Sequence, residues 1–302
     1  MGTPDFAVPA LQALIKDPRF EVVGVITQPD SQVGRHAIVT PPPVKIAAEK
    51  NGIPVFQPKK LDRSSPFPPS TFHLPPSSYD ACVVVAYGKI LPQWFLDLPK
   101  HGAINVHASL LPRWRGASPI QSAIAAGDAR TGVTIMKMDA QLDHGPILAA
   151  KEETVLENDT AESLHDRLAM LGAKLLPDAL ADYLSGKIKP REQDHTHTTT
   201  CRTLTREQGK IDWTKPAQEI ERLVRAYHPW PGAWTEYKGK RLKILQTKIS
   251  SETTDRKPGE FFSAQHKLFA AGGNKTALEL IAIQPEAKKI LSGREFALGN
   301  LR

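Results

Sequence analysis

Residues 103–112, Ala-Ile-Asn-Val-His-Ala-Ser-Leu-Leu-Pro, read as a buried strand running into a loop. Side chains of a strand alternate between its faces, so Asn105 and His107 share one face while Ile104 and Val106 enter the core from the other. An amide and an imidazole thereby line the same pocket wall. Ser109, Leu110, Leu111 and Pro112 then leave the strand at its carboxyl end, where open α/β sheets hold their ligands.

Outward from that stretch the first half of the chain alternates strands and helices. Phe20–Thr27 (FEVVGVIT), a short extended piece at Val55-Phe56, Tyr79–Tyr87 (YDACVVVAY) and Gly132–Met138 (GVTIMKM) are apolar on both faces. Val44–Asn51 has helical character and closes at Asn51-Gly52. Such strands, separated by helices, predict an α/β fold with a mostly parallel sheet covered on both sides. Leu164, Leu168, Leu171, Leu175, Leu176 and Leu180 recur at helical spacing and predict a closing helix interrupted near Pro177. The proline-rich stretch from Asp62 to Ser78 excludes a regular helix and reads as an irregular surface excursion.

A second polar group follows the Gly132–Met138 strand, in Met138-Asp139-Ala140-Gln141-Leu142-Asp143-His144-Gly145-Pro146. A carboxylate in this Gly-Pro turn, placed at the same sheet edge, is able to reach His107. Asn105, His107 and Asp143 together make an acyl-transfer set: amide and imidazolium donors for a tetrahedral oxyanion, and a carboxylate–imidazole relay for protons. Taken singly, each has a bland reading. An Asn or His on a strand is usually a satisfied structural residue, and an Asp before Gly often bonds its own turn. His144 is expected to be loop surface. His195, His197 and Cys201 are of metal-ligating type but lack a fourth ligand and a rigid element, so no metal is expected.

Composition narrows the setting. The 302 residues carry two cysteines, too few for a disulfide framework, and no apolar run approaches the roughly 20 residues of a membrane span. A soluble, cytoplasmic chain is expected, with no membrane partner. From Thr205 onward there are 18 basic and 11 acidic residues, against 21 of each before it, so the formal +7 lies wholly in the last third. That excess points to a polyanion or to a solvated basic surface, and charge alone does not choose between them. Residues 186–204 are charged and threonine-rich and read as a linker. Beyond them come a helix from Pro216 to Tyr227 and short extended runs at Trp234–Tyr237, Leu242–Thr247 and Leu278–Ile283, the pattern of a small β domain.

With these residues in view, the chain resembles the methionyl-tRNA formyltransferase family over nearly its whole length. The resemblance is carried in order by GTPDFAVPAL, TQPD, PVKIAAEKNGIPVFQP, VVVAYGKILP, INVHASLLPRWRGASPIQ, GVTIMKMDAQLDHGPIL, KIDW and HPWPGAW. It implies a Rossmann-like formyltransferase domain over 1–185, a linker over 186–204 and an OB-like β-barrel domain over 205–302. It implies 10-formyltetrahydrofolate as co-substrate, methionyl-initiator tRNA as partner and acceptor, and a monomer. Asn105, His107 and Asp143 match the family's catalytic residues, and Ser109, Leu110, Leu111 and Pro112 its folate-binding stretch. Ile90 and Leu91 match positions lining the pterin pocket of related enzymes, and Arg35 an arginine of the loop that enters the tRNA acceptor stem.

The chain also departs from the family pattern. A short apolar strand usually precedes GTPDF, whereas here the chain starts at Met1-Gly2, which implies a sheet lacking that strand or a start upstream. His36, Ala37 and Ile38 stand where the tRNA loop usually has lysines, the proline-rich stretch replaces a helix, and His144 replaces a threonine. Two other readings remain: a formyltransferase for a small amine, such as a sugar amine or glycinamide ribonucleotide, or the hydrolase module of a larger folate enzyme; and a non-catalytic tRNA-binding remnant.

Overall fold

The computed structural model describes residues 1–34, 37–61 and 78–301, so Arg35, His36 and nearly all of the proline-rich excursion lie outside the described residues. Contacts divide the chain into two compact units. The first comprises Met1–Gly116, Thr131–Thr154 and His165–Thr200; the second comprises Ala117–Arg130, Val155–Leu164 and Cys201–Arg302.

In the first unit the apolar runs do form strands. Val25–Ile26 pairs in parallel with Val55–Phe56, and Cys82–Val84 in parallel with Ala103–His107. The next neighbour departs from the sequence expectation. The Arg130–Lys137 strand runs antiparallel to Ala103–His107, with Ile104 opposite Lys137 and His107 opposite Thr134. A parallel neighbour requires a covering crossover, usually a helix. The helix between these strands, Pro119–Ala126, belongs to the second unit. Residues 138–146 therefore begin beside Ile104, at the amino end of the Ala103–His107 strand, and not at its carboxyl edge. The sheet is mixed, and the order continues to Ile147–Thr154 on the far side.

The sheet is backed by the helix Ala161–Leu184, which continues through Pro177 where an interruption was expected. Leu168, Leu176 and Leu180 of this helix are buried. Its approach is close at Gly172, where a Cβ would stand 2.9 Å from Val106 Cγ1 and 3.6 Å from Val133 Cγ1. Glycine is required there by packing and not by backbone conformation.

The run Phe20–Thr27 is ordered as a strand only at Val25–Ile26. Met1-Gly2 lies between this run and Cys82–Val85: the Gly2 amide donates to Ile26 O (3.1 Å), the Val85 amide to Met1 O (2.8 Å), and the Met1 amine to Val83 O. Burial pushes the Met1 amine below its ordinary pKa, while the nearby Cys82 acts in the opposite sense. Beyond Met1 lies a cavity of about 330 Å³ whose lining includes Val22, Val23, Leu14, Cys82, Phe95 and Leu180. Phe20–Gly24 borders this space and carries no regular pairing.

The second unit is mostly antiparallel β structure. Its strands stand in the order Ala233–Tyr237, Lys240–Thr253, Thr276–Pro285, Lys267–Ala271, Phe261–Ala264, and Leu291–Ser292 also pairs with Thr276–Pro285. Register shifts bend the long Lys240–Thr253 strand, curving the sheet around a core that includes Leu242, Ile244, Leu268, Leu278 and Phe296. The helix Ala217–Ala226 buries Ala217, Ile220 and Val224 at helical spacing. The last helix, Gly293–Asn300, starts at a capping box in which Ser292 and Glu295 satisfy each other's backbone amides.

The Gly172 contact yields a stability test. Gly172→Leu forces a side chain into the helix–sheet interface and is expected to cost about 1–3 kcal/mol, the usual range for overpacking. Thermal unfolding should show a lowered midpoint, whereas Met170→Leu on the exposed side of the same helix should leave it unchanged.

Candidate functional site

Alternation along the Ala103–His107 strand puts Asn105 and His107 on one face, and both are buried. Asp143 reaches that face from the 138–146 loop. Its side chain is 12% exposed, with Oδ2 lying 3.6 Å from His107 Nδ1. Asn105 Nδ2 donates to Asp143 Oδ1 over a long 3.4 Å, and the Gly116 amide donates to Oδ2 at 2.8 Å. The strongest bond to the carboxylate thus comes from backbone, leaving the carboxamide and imidazole loosely held against it. His107 Nε2 donates to the Trp114 carbonyl at 3.0 Å, which fixes the ring plane and turns Nδ1 toward Asp143.

Two residues of this site adopt left-handed backbone conformations uncommon outside glycine: Trp114 at φ +60° and Asp143 at φ +47°. Such conformations persist where surrounding contacts over-determine them. The Trp114 amide donates to Thr199 Oγ1 (2.9 Å), and the Arg113 guanidinium lies 4.5 Å over its ring. Gly145, two residues after Asp143, admits no side chain, because a Cβ would stand 2.0 Å from the Lys137 carbonyl. The Asp143 carboxylate is not a turn former: its bonds go to Asn105 and Gly116 across the site.

The loop after the strand is braced. Thr134 Oγ1 donates to Ser109 O (2.7 Å) and accepts from the Leu111 amide (3.1 Å), while Ser109 Oγ donates to Arg113 O (2.5 Å). The Arg113 amide closes a turn on Leu110 O, and the Thr199 amide donates to Pro112 O. Cys82–Val84 runs parallel to Ala103–His107, so the segment bearing Ile90 and Leu91 leaves the sheet at the same edge as Ser109–Pro112. Leu91 is buried with Tyr87 and Phe95, whereas Ile90 is 93% exposed. Of the two, Ile90 is the one open to a ligand.

Several participants left no sign in the sequence. Arg115 is buried, and its Nε and Nη2 donate to Gln193 Oε1 at 3.1 and 2.6 Å. Burial lowers the Arg115 pKa, opposed by the charges of Asp143 and Asp139. Gln193, in the stretch read as a linker, is 5% exposed, and its Nε2 donates to the carbonyls of Asp143 (2.9 Å) and Gly145 (2.7 Å). His144 is more than loop surface: its Nδ1 meets Asp139 Oδ2 at 2.7 Å, and its ring stacks on His195 with centroids 4.2 Å apart. His195 Nδ1 in turn accepts from Arg115 (2.8 Å), and His197 Nδ1 meets Asp194. Among the described residues no group of three or more His, Cys, Asp or Glu side chains is placed to hold a metal ion.

Comparison with known proteins places this geometry. A family model described as formyl transferase matches residues 1–180, and one described as formyl transferase, C-terminal domain, matches residues 203–301. The methionyl-tRNA formyltransferase of Bacillus velezensis is 45% identical over 300 residues, covering 99% of this chain and 93% of that protein. That of Myxococcus xanthus is 44% identical over 300 residues, covering 99% of this chain and 94% of that protein. Among solved structures, an N-formyltransferase from Helicobacter canadensis, in complex with folinic acid and dTDP-3-aminofucose, superposes with a TM-score of 0.68. It covers 94% of this chain and 97% of its own at 17% identity, a likeness of fold alone.

The Thr134 brace can be tested without any ligand. Thr134→Val keeps the volume but strands a buried carbonyl and a buried amide, at an expected cost of about 1–3 kcal/mol in urea unfolding. Thr134→Ser, which retains the hydroxyl, should lose less than half as much.

Proposed function

We infer that this chain, which belongs to the methionyl-tRNA formyltransferase family, transfers a formyl group to the free amino group of methionyl-initiator tRNA for the start of translation. The co-substrate is 10-formyltetrahydrofolate. The observation that carries the reading is the meeting of Asn105, His107 and Asp143 on one sheet face, in a chain similar over 99% of its length to enzymes of that name.

The chemistry follows from the donors present. The methionyl amine attacks the formyl carbon, forming the new C–N bond and a tetrahedral adduct whose oxygen carries the negative charge. Asn105 and protonated His107, whose Nε2–H must be shared with or released from the Trp114 carbonyl, are the donors that stabilise that oxygen. The ammonium formed on attack loses its proton to the Asp143–His107 pair, which returns one to N10 of the carrier as the C–N10 bond breaks. No covalent intermediate with the protein is needed. Ile90 and Ser109–Pro112 form the folate-binding surface, with Leu91 packed in the core next to Ile90; exposed Ile90 offers an apolar face that a pterin ring would cover.

We assign 1–185 to a Rossmann-like catalytic domain, 186–204 to a connecting segment and 205–302 to an OB-like tRNA-binding domain. The curved five-strand antiparallel order and its bulged long strand support the last assignment. Exposed Lys240, Lys243 and Lys248 along that strand, together with the basic excess beyond Thr205, suit a phosphate backbone. Arg35 is assigned to the acceptor stem from its match in sequence. The enzyme acts in the cytoplasm as a monomer.

Formyl transfer to charged initiator tRNA, measured beside a panel of small amines, tests the acceptor; a strong preference for a small amine would overturn the assignment. Binding of tRNA without turnover would instead indicate a non-catalytic remnant. His107→Ala should lower the rate constant for transfer by about a hundredfold or more, with folate affinity nearly unchanged. A variant with the native rate removes His107 from the mechanism.

A further inference from the structure

Gln193 is a buried amide with every hydrogen-bonding group engaged. A primary amide has two donor hydrogens and an oxygen with two lone pairs. Both donors go to the carbonyls of Asp143 and Gly145, and both lone pairs receive Arg115. Burying such a group is unfavourable unless all four positions are used, so its orientation is fixed. Arg115 is held in turn by His195 Nδ1 and, through its own amide, by the Thr199 carbonyl at 2.9 Å.

These bonds close a ring. Arg115 grips Gln193, Gln193 grips the backbone of Asp143, and the Asp143 carboxylate accepts from the amide of Gly116, the residue next to Arg115. Backbone and carboxylate of Asp143 are therefore tied to a single dipeptide, Arg115-Gly116. The link matters because Asp143 sits at φ +47° and its contacts to Asn105 and His107 are long, at 3.4 and 3.6 Å. Neither of those side chains is close enough to set the direction of the carboxylate.

We propose that Gln193 is a positioning residue for formyl transfer: by pinning the carbonyls of Asp143 and Gly145 to Arg115, it aims the Asp143 carboxylate at His107 and Asn105. The inference rests on the assignment of those three residues to the reaction. Gln193 makes its four bonds to Arg115 and the Asp143 turn and acts through them. No residue close in shape replaces it, since Glu lacks the donors and Met lacks both donors and acceptor.

Gln193→Met, neutral and of similar length, is the primary test, read in two ways. Steady-state kinetics should show kcat reduced about 10- to 100-fold with KM for tRNA and folate within about twofold, because misplacement of a reacting group by about 1 Å costs that order of rate. Amide hydrogen exchange should show Gly116 losing protection by about tenfold or more, while Leu111, held by Thr134, stays as in the wild type. A native kcat, a loss confined to KM, or an unchanged Gly116 amide overturns the proposal. If Gln193→Met does not fold, Gln193→Glu, which keeps a partner for Arg115, must show the same two effects, and a native rate there is equally fatal. Should the wild-type chain transfer no formyl group to methionyl-tRNA, the reading of the reaction fails, while exchange at Gly116 still decides whether Gln193 aims the carboxylate.

Discussion

A carboxylate enclosed by protein must be surrounded by donors, and the first unit is organised around meeting that requirement at Asp143. The Gly116 amide supplies the short bond, Asn105 a long one, and His107 a charge contact. The left-handed backbone at Asp143, the glycine two residues on and the tight turn against Lys137 each serve to bring that one side chain over the sheet. A group so enclosed loses solvation, which strengthens its effect on neighbouring protons and charges.

The reading of the sequence reached the strand and stopped short of its surroundings. Ala103–His107 was legible because strict alternation over an apolar run encodes both the strand and the face on which its polar side chains stand. Asp143 was legible as a carboxylate in a turn. The direction of the Arg130–Lys137 strand was not, since an apolar run has the same pattern read either way along a sheet. What places Asp143 is therefore a loop folding back over the face, and not a loop leaving the shared edge. Phe20–Gly24 shows the converse: its composition is that of a strand, yet only Val25–Ile26 at the end of the run is paired.

Arg115, Gly116, Thr134 and Gln193 were illegible for another reason. Each acts through bonds to residues distant in sequence, 27 positions for Gly116 to Asp143 and 50 for Gln193 to Asp143. No local period records such a contact. Gln193 in particular lies in a polar run whose composition suggests a connector, yet it is among the most deeply enclosed polar residues of the unit. The threonines nearby behave likewise, with Thr199 bonding the backbone on either side of Arg113.

The space beside Met1 has a volumetric consequence. Unfolding lets solvent into internal voids, so the system contracts, and hydrostatic pressure favours whichever state occupies less volume. The cavity of about 330 Å³, lined by valines, leucines and Phe95 and also by Arg19, Glu21 and Asp80, leaves this side of the unit less tightly filled than the helix–sheet interface at Gly172, and so more compressible.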